Sequence, residues 1–153
     1  MSRLQLALNV EDLEASVAFY TALLGTAPAK TRPGYANFAV ADPPLKLVLL
    51  QNPGQGGTLN HLGIEVEDTA AVDAVQARLR EAGLASVDER ATTCCYATQD
   101  KFWVEDAPDA ERWEVYTVLA DSPTFGPTDT EAPGAGCCGT STTEPTPSAT
   151  ACC

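Results

Sequence analysis

The segment ATTCCYATQDKFW, residues 91–103, sets two thiols side by side at Cys94 and Cys95. Neighbouring side chains on a strand point to opposite faces, so the pair converges on one target only where the chain leaves strand geometry. All six cysteines come as adjacent pairs, the others being Cys137-Cys138 and Cys152-Cys153. Random placement of six would give only ~0.2 such pairs. A disulfide between neighbours closes a strained ring, whereas paired reduced thiols suit a soft ligand. The bland alternative is that each is a small apolar filler, since free cysteine is commonly buried.

A second donor set emerges from a repeat. Residues 5–12 read QLALNVED and residues 61–68 read HLGIEVED, an offset of 56 residues. The offset makes Gln5 and the only histidine, His61, equivalent. If the two units pair about a pseudo-twofold axis, these side chains face one another. Glu114 alternates within WEVYTV, close to Trp113 and Tyr116. Alone, His61 would read as a structural histidine and Glu114 as a solvent-facing carboxylate. Together, a neutral oxygen, an imidazole and one carboxylate suit a divalent first-row metal with open coordination positions. The matching strand of the first unit, LKLVLL, is apolar and offers no fourth ligand.

These residues need a scaffold, and the periodicity describes one. After Asp12, the apolar residues Leu13, Val17, Tyr20 and Leu24 share a helical face; after Asp68, Val72, Val75 and Leu79 do the same, with Gly83 as a stop. Short strands are expected at roughly 28–32, 35–40 and 45–50, then at 86–91, 95–104 (broken near Gln99-Asp100) and 113–119. The Gly-rich stretch 51–60 links the halves. The expectation is an α+β fold of two βαβββ modules, about 1–51 and 61–120, pairing into a curved sheet. Residues 121–153 contain no Lys or Arg and only Phe125 as a bulky apolar side chain. This Pro/Thr/Ser-rich tail, with two cysteine pairs, reads as disordered, and the domain should end near residue 120.

Composition narrows the function classes. A net charge of -12 with no basic stripe argues against nucleic acid and anionic membranes as partners. The N-terminus enters a strand pattern at once, and no apolar run is long enough to span a bilayer. A cytoplasmic location with reduced thiols is the expectation.

The βαβββ pair with strand-start ligands resembles the vicinal oxygen chelate superfamily of glyoxalase I, extradiol dioxygenases and bleomycin-resistance proteins. LQLALNVEDLEASVAFYTALLG, NHLGIEVED and TTCCYATQDKFWVEDAPDAERWEVYTV are similar to one branch of it, the ArsI-type C–As bond lyases with their cadmium-induced relatives. That resemblance spans residues 1 to about 120. It implies metal ligands at Gln5, His61 and Glu114 and a substrate-binding thiol pair at Cys94 and Cys95. The implied activity is Fe(II)- and O2-dependent cleavage of the carbon–arsenic bond in trivalent methyl or aryl arsenicals. Tyr96, Phe102, Trp103 and Trp113 would line a pocket for the organic group or simply fill the core. Lys101 would meet an anionic group or be solvated. Two other classes remain open: a non-catalytic arsenic- or cadmium-binding protein, and another metal-dependent enzyme of the superfamily.

Overall fold

A computed structural model describes residues 2–105 and 107–126. Ten elements follow in order. They are β1 (Arg3–Val10), α1 (Leu13–Leu24), β2 (Lys30–Arg32), β3 (Tyr35–Val40), β4 (Leu45–Gln51), β5 (Leu59–Glu65), α2 (Thr69–Glu81), β6 (Ser86–Cys94), β7 (Ala97–Val104) and β8 (Trp113–Asp121). The repeat is thus two βαβββ modules, as expected. Each helix starts where its sequence signal stands. Asp12 and Asp68 accept hydrogen bonds from Ala15 N and Ala71 N, capping orphan amides of the first turn. Gly25 and Gly83 take the left-handed conformation beyond the two helix ends.

The strands form one sheet in the order β2-β3-β4-β1-β5-β8-β7-β6. The order is a palindrome of the repeat. β1 and β5 meet antiparallel at the centre, and each pairs in parallel with the last strand of its own module, β4 or β8. Alternation then separates two faces. Leu6, Leu8 and Val10 join Phe38, Leu47 and Leu49 under Leu13, Val17, Tyr20 and Leu24 of α1. Ile64, Val66, Phe102 and Val115 do the same under Val72, Val75 and Leu79 of α2. Both predicted helical faces are the ones that pack.

The opposite face curls around a cavity. There Cys94 joins a cluster with Ala7, Tyr35, Val48 and Leu50, so the β6–β7 end of the second module reaches across to the first. Lys30 Nζ bonds Tyr96 O (3.0 Å) and Asp121 Oδ1 (2.5 Å), tying β2 to that end. The boundary expected near residue 120 falls one residue inside β8, and the chain stays packed to Phe125, whose carbonyl accepts Cys95 N at 2.7 Å. The remaining tail, with its expected disorder and its cysteine pairs, lies outside the described residues.

Candidate functional site

The strand register assembles the hard donors. Gly63 on β5 pairs with Gln5 on β1 and with Glu114 on β8, so these three residues lie abreast across the centre of the sheet. His61, two residues earlier on β5, projects to the same face. All three side chains are buried. Gln5 Nε2 lies 3.0 Å from His61 Nε2 and 2.7 Å from Glu114 Oε1, and His61 Nε2 lies 3.2 Å from Glu114 Oε1. A side chain at position 63 would stand between the ligands: a Cβ there meets Gln5 Cβ, Gln5 Nε2 and Glu114 Cγ, each at 3.2 Å. The position equivalent to Glu114 in the first module is Val48, opposite Ala7. No fourth donor comes from there.

Each donor is held from behind. Asn60 Oδ1 contacts His61 Nδ1 at 2.7 Å, and because an amide oxygen only accepts, Nδ1 carries a proton there. Adjacent strand residues normally diverge, but the register slips between Ala7 and Leu8, and this bulge brings Asn60 round to the ring. Lys101 Nζ sits 3.2 Å from Glu114 Oε2, so Oε1 is the oxygen turned toward Gln5 and His61. Burial raises the Glu114 carboxyl, yet the His61 contact and the Lys101 charge outweigh it and hold the group at about 2. On the far side, Tyr116 OH reaches Gln5 Oε1 (2.5 Å) and Glu65 Oε2 (3.2 Å). Burial, with Glu65 and Glu114 nearby, pushes that phenol well above its ordinary range. Burial also works against the Glu65 anion, but Arg3 and Lys46 more than offset it.

The soft donors occupy a hairpin turn. Cys94 ends β6 and pairs with Ala97, leaving Cys95 and Tyr96 as a two-residue loop. Both have positive φ, 55° and 62°, as a type I′ turn demands. Glycine or asparagine usually fills such positions, so this turn carries local strain. Turning this way brings the two sulfurs to 3.2 Å, too far for a bond between them. Cys94 keeps its thiol. Cys95 is disulfide-bonded here. The expectation of reduced thiols therefore does not hold for Cys95.

A cavity of about 200 Å³ joins both donor sets, lined by Gln5, His61 and Glu114 together with Cys94 and Cys95. Its aromatic wall is Tyr35, not the tryptophans. Phe102 packs under α2, and Trp113 turns away from the face that Glu114 presents. Trp103 lies behind His61, ring centroids 5.5 Å apart. Tyr96 closes the seam against Tyr35 and Phe125. Lys101 is fully buried rather than solvated, between Glu114 and Glu89 (3.4 Å) and over the Trp103 ring.

Residues 3–115 match the Glyoxalase/Bleomycin resistance protein/Dioxygenase superfamily. The chain belongs to this superfamily. Among its relatives it is 68% identical over 126 residues to the cadmium-induced protein CadI of Mycobacterium tuberculosis H37Rv, covering 82% of each chain. It is 58% identical over 139 residues to the trivalent organoarsenical cleaving enzyme of Thermomonospora curvata, covering 90% of this chain and 89% of that one. Among solved structures, the Mn(II)-bound glyoxalase of Novosphingobium aromaticivorans superposes with a TM-score of 0.55 at 19% identity, covering 85% of this chain and 44% of that chain. That likeness speaks for the fold alone.

For a member of this superfamily the donor set passes a geometric test for a metal. Two donors at right angles, each about 2.1 Å from an ion, stand about 3.0 Å apart. The three separations here bracket that edge with Gln5 Nε2 in the position its carbonyl oxygen would take after an amide flip, and the glycine at 63 keeps the space between Gln5 and Glu114 clear. Among the described residues no three His, Cys, Asp or Glu side chains converge, so the set depends on the Gln5 amide. The sequence reading passed over Asn60, Gly63, Glu65, Tyr35 and Gln99. Gln99 is buried at the cavity wall, and its Oε1 has no hydrogen-bond partner among the described residues. Its only signal was the expected break near Gln99-Asp100, where β7 does slip register against β8. No helix among the described residues is long and apolar enough to cross a membrane.

Proposed function

We propose that the protein cleaves the carbon–arsenic bond of small trivalent organoarsenicals, using Fe(II) and O2, and releases arsenite in the cytoplasm. One observation carries this reading: two sulfur positions 3.2 Å apart open on the same cavity as a buried Gln/His/Glu face. Two bonds of about 2.3 Å from one soft atom to sulfur, at a right angle, span about 3.3 Å. Cys94 and Cys95, once Cys95 is reduced, would exchange for both hydroxyls of R–As(OH)₂ with loss of two waters. The identities to organoarsenical-cleaving relatives support the same substrate class.

Gln5, His61 and Glu114 would hold Fe(II), which when bound supplies the redox chemistry with dioxygen. The chain's own contribution is position. The thiol pair fixes the arsenic, so the carbon substituent enters a cavity bounded by Tyr35 and Val48 and meets the metal face in one orientation. The volume suits a methyl group or a single ring; a cavity of roughly 150 Å³ is enough to take benzene. Gln99 Oε1, an unmet acceptor at that wall, is placed to receive an O–H from the incoming R–As(OH)₂ before its hydroxyls are exchanged. For a methyl substituent the atoms balance as CH₃As(OH)₂ + O₂ giving HCHO + As(OH)₃.

The test is anaerobic loading of the reduced protein with Fe(II), then oxygen, with arsenite and formaldehyde measured from methylarsonous acid. The alternative is sequestration of soft metals by the same thiols, which the 68% identity to a cadmium-induced protein favours. Stoichiometric binding without arsenite release would select that alternative.

A further inference from the structure

Tyr116 lies two residues beyond Glu114 on β8, fully buried, with its hydroxyl between Gln5 Oε1 (2.5 Å) and Glu65 Oε2 (3.2 Å). A phenol has one proton and can donate it once. When it goes to Gln5 Oε1, the Gln5 NH₂ is left facing His61 Nε2 and Glu114 Oε1. That arrangement satisfies three buried groups, but it points amide hydrogens at the atoms a metal would share. When the proton goes to Glu65, the phenol oxygen becomes an acceptor. The Gln5 NH₂ can then turn outward to it, and the carbonyl oxygen turns inward beside His61 and Glu114. The two ends of an amide have nearly the same shape, so the reversal needs little room.

Glu65 is built to take that proton. Arg3 reaches its two oxygens through Nε (2.9 Å) and Nη2 (3.2 Å), and Lys46 Nζ lies 3.4 Å from Oε2. An ionised carboxylate only accepts. It therefore cannot return a proton to the tyrosine. Lys46 Nζ also stands 4.9 Å from the centre of the Tyr116 ring, over its face.

Resting on the metal-site reading above, we infer that Tyr116 and Glu65 are positioning residues that set which end of the Gln5 amide faces the metal. In the metal-free protein the Tyr116 hydroxyl points to Gln5. On metal binding it rotates to Glu65, and the Gln5 carbonyl oxygen swings inward. No bond to hydrogen breaks; a hydroxyl rotates and an amide flips.

The probe is Mn(II), which prefers oxygen and nitrogen donors and so leaves the thiols aside. Free and bound Mn(II) are measured by electron paramagnetic resonance on the full-length protein. In Glu65→Gln the new amide can donate to Tyr116 and hold the tyrosine proton on Gln5. Affinity should fall roughly 10- to 100-fold, the range for losing an outer partner of a metal ligand. Tyr116→Phe, which removes the acceptor, should weaken binding in the same direction. Both losses should vanish when Gln5→Ala is the background, because the residues then have no amide to orient. Circular dichroism of each metal-free variant checks the fold. Losses that persist undiminished in the Gln5→Ala background would overturn the inference. So would wild-type affinity in both variants while His61→Ala binds no Mn(II), a result that spares the metal site itself. If the wild-type protein binds no Mn(II) or Fe(II), the metal-site reading fails and this inference with it.

Discussion

Gly63→Ala tests the site through a residue that donates nothing. The added Cβ would stand 3.2 Å from Gln5 Cβ, Gln5 Nε2 and Glu114 Cγ. Carbon contacts relax at about 3.5–4.0 Å, so each neighbour must withdraw by at least about 0.3 Å. The two ligands flank the glycine on opposite strands and would move apart. Their 2.7 Å separation would then grow to about 3.3 Å, beyond the about 3.0 Å edge of an octahedral ion. A distortion of that size should weaken metal binding about tenfold, or about 1.4 kcal/mol. The fold should survive at a modest cost of about 1–3 kcal/mol, because φ at Gly63 is not in the left-handed region and alanine accepts strand geometry. Anaerobic calorimetry with Fe(II), beside thermal unfolding of the metal-free protein, separates the two effects. A folded variant with wild-type metal affinity would refute the claim that this glycine keeps the ligand set open.

Three further outcomes are expected. His61→Ala and Glu114→Ala should each abolish tight metal binding, read by the same calorimetry, while Gln5→Ala, which removes a weaker neutral donor, only reduces it. Cys94→Ser or Cys95→Ser should lose arsenical binding, followed by tryptophan fluorescence, but keep metal binding; in the wild-type protein that binding should require a reductant, because Cys95 must be a thiol. The third concerns acid. Glu114 titrates at about 2 when folded against an ordinary 4.5, so its stabilisation is fully present above pH 4.5 and lost as pH falls from 4.5 towards 2. That lowering corresponds to about 3 kcal/mol. Urea unfolding of the metal-free protein at pH 5, 4 and 3 should show a steeper loss in the wild type than in Glu114→Gln, and equal slopes would count against this account of Glu114.

The local features of the chain were legible because each one repeats or follows a fixed period. QLALNVED and HLGIEVED announce the same strand and the same aspartate cap, and the apolar positions after each cap name the faces that pack. Gln5, His61 and Glu114 could be picked out for the same reason: the repeat relates the first two, and strand alternation leaves one carboxylate in WEVYTV. The cysteine pair announced a departure from strand geometry because two neighbours cannot share one face, and the turn at Cys95 and Tyr96 supplies that departure.

What the pattern could not supply was register and depth. Which residue lies beside Gln5 depends on how β1, β5 and β8 align, and only that alignment makes Gly63 a spacer and Val48 the apolar counterpart of Glu114. A bulge at Asn60 and the curl that brings Cys94 against Tyr35 are likewise properties of the assembled sheet. A charged side chain misled most. Lys101 reads as meeting an anion or as solvated in a linear chain, yet the closed sheet places it inside, where Glu114 and Glu89 from neighbouring strands offset its desolvation. A sequence states which side chains can do chemistry by their type and period. Distances between residues 50 or 100 positions apart are fixed only when the strands pair, because hydrogen-bond register is a choice the whole sheet makes at once.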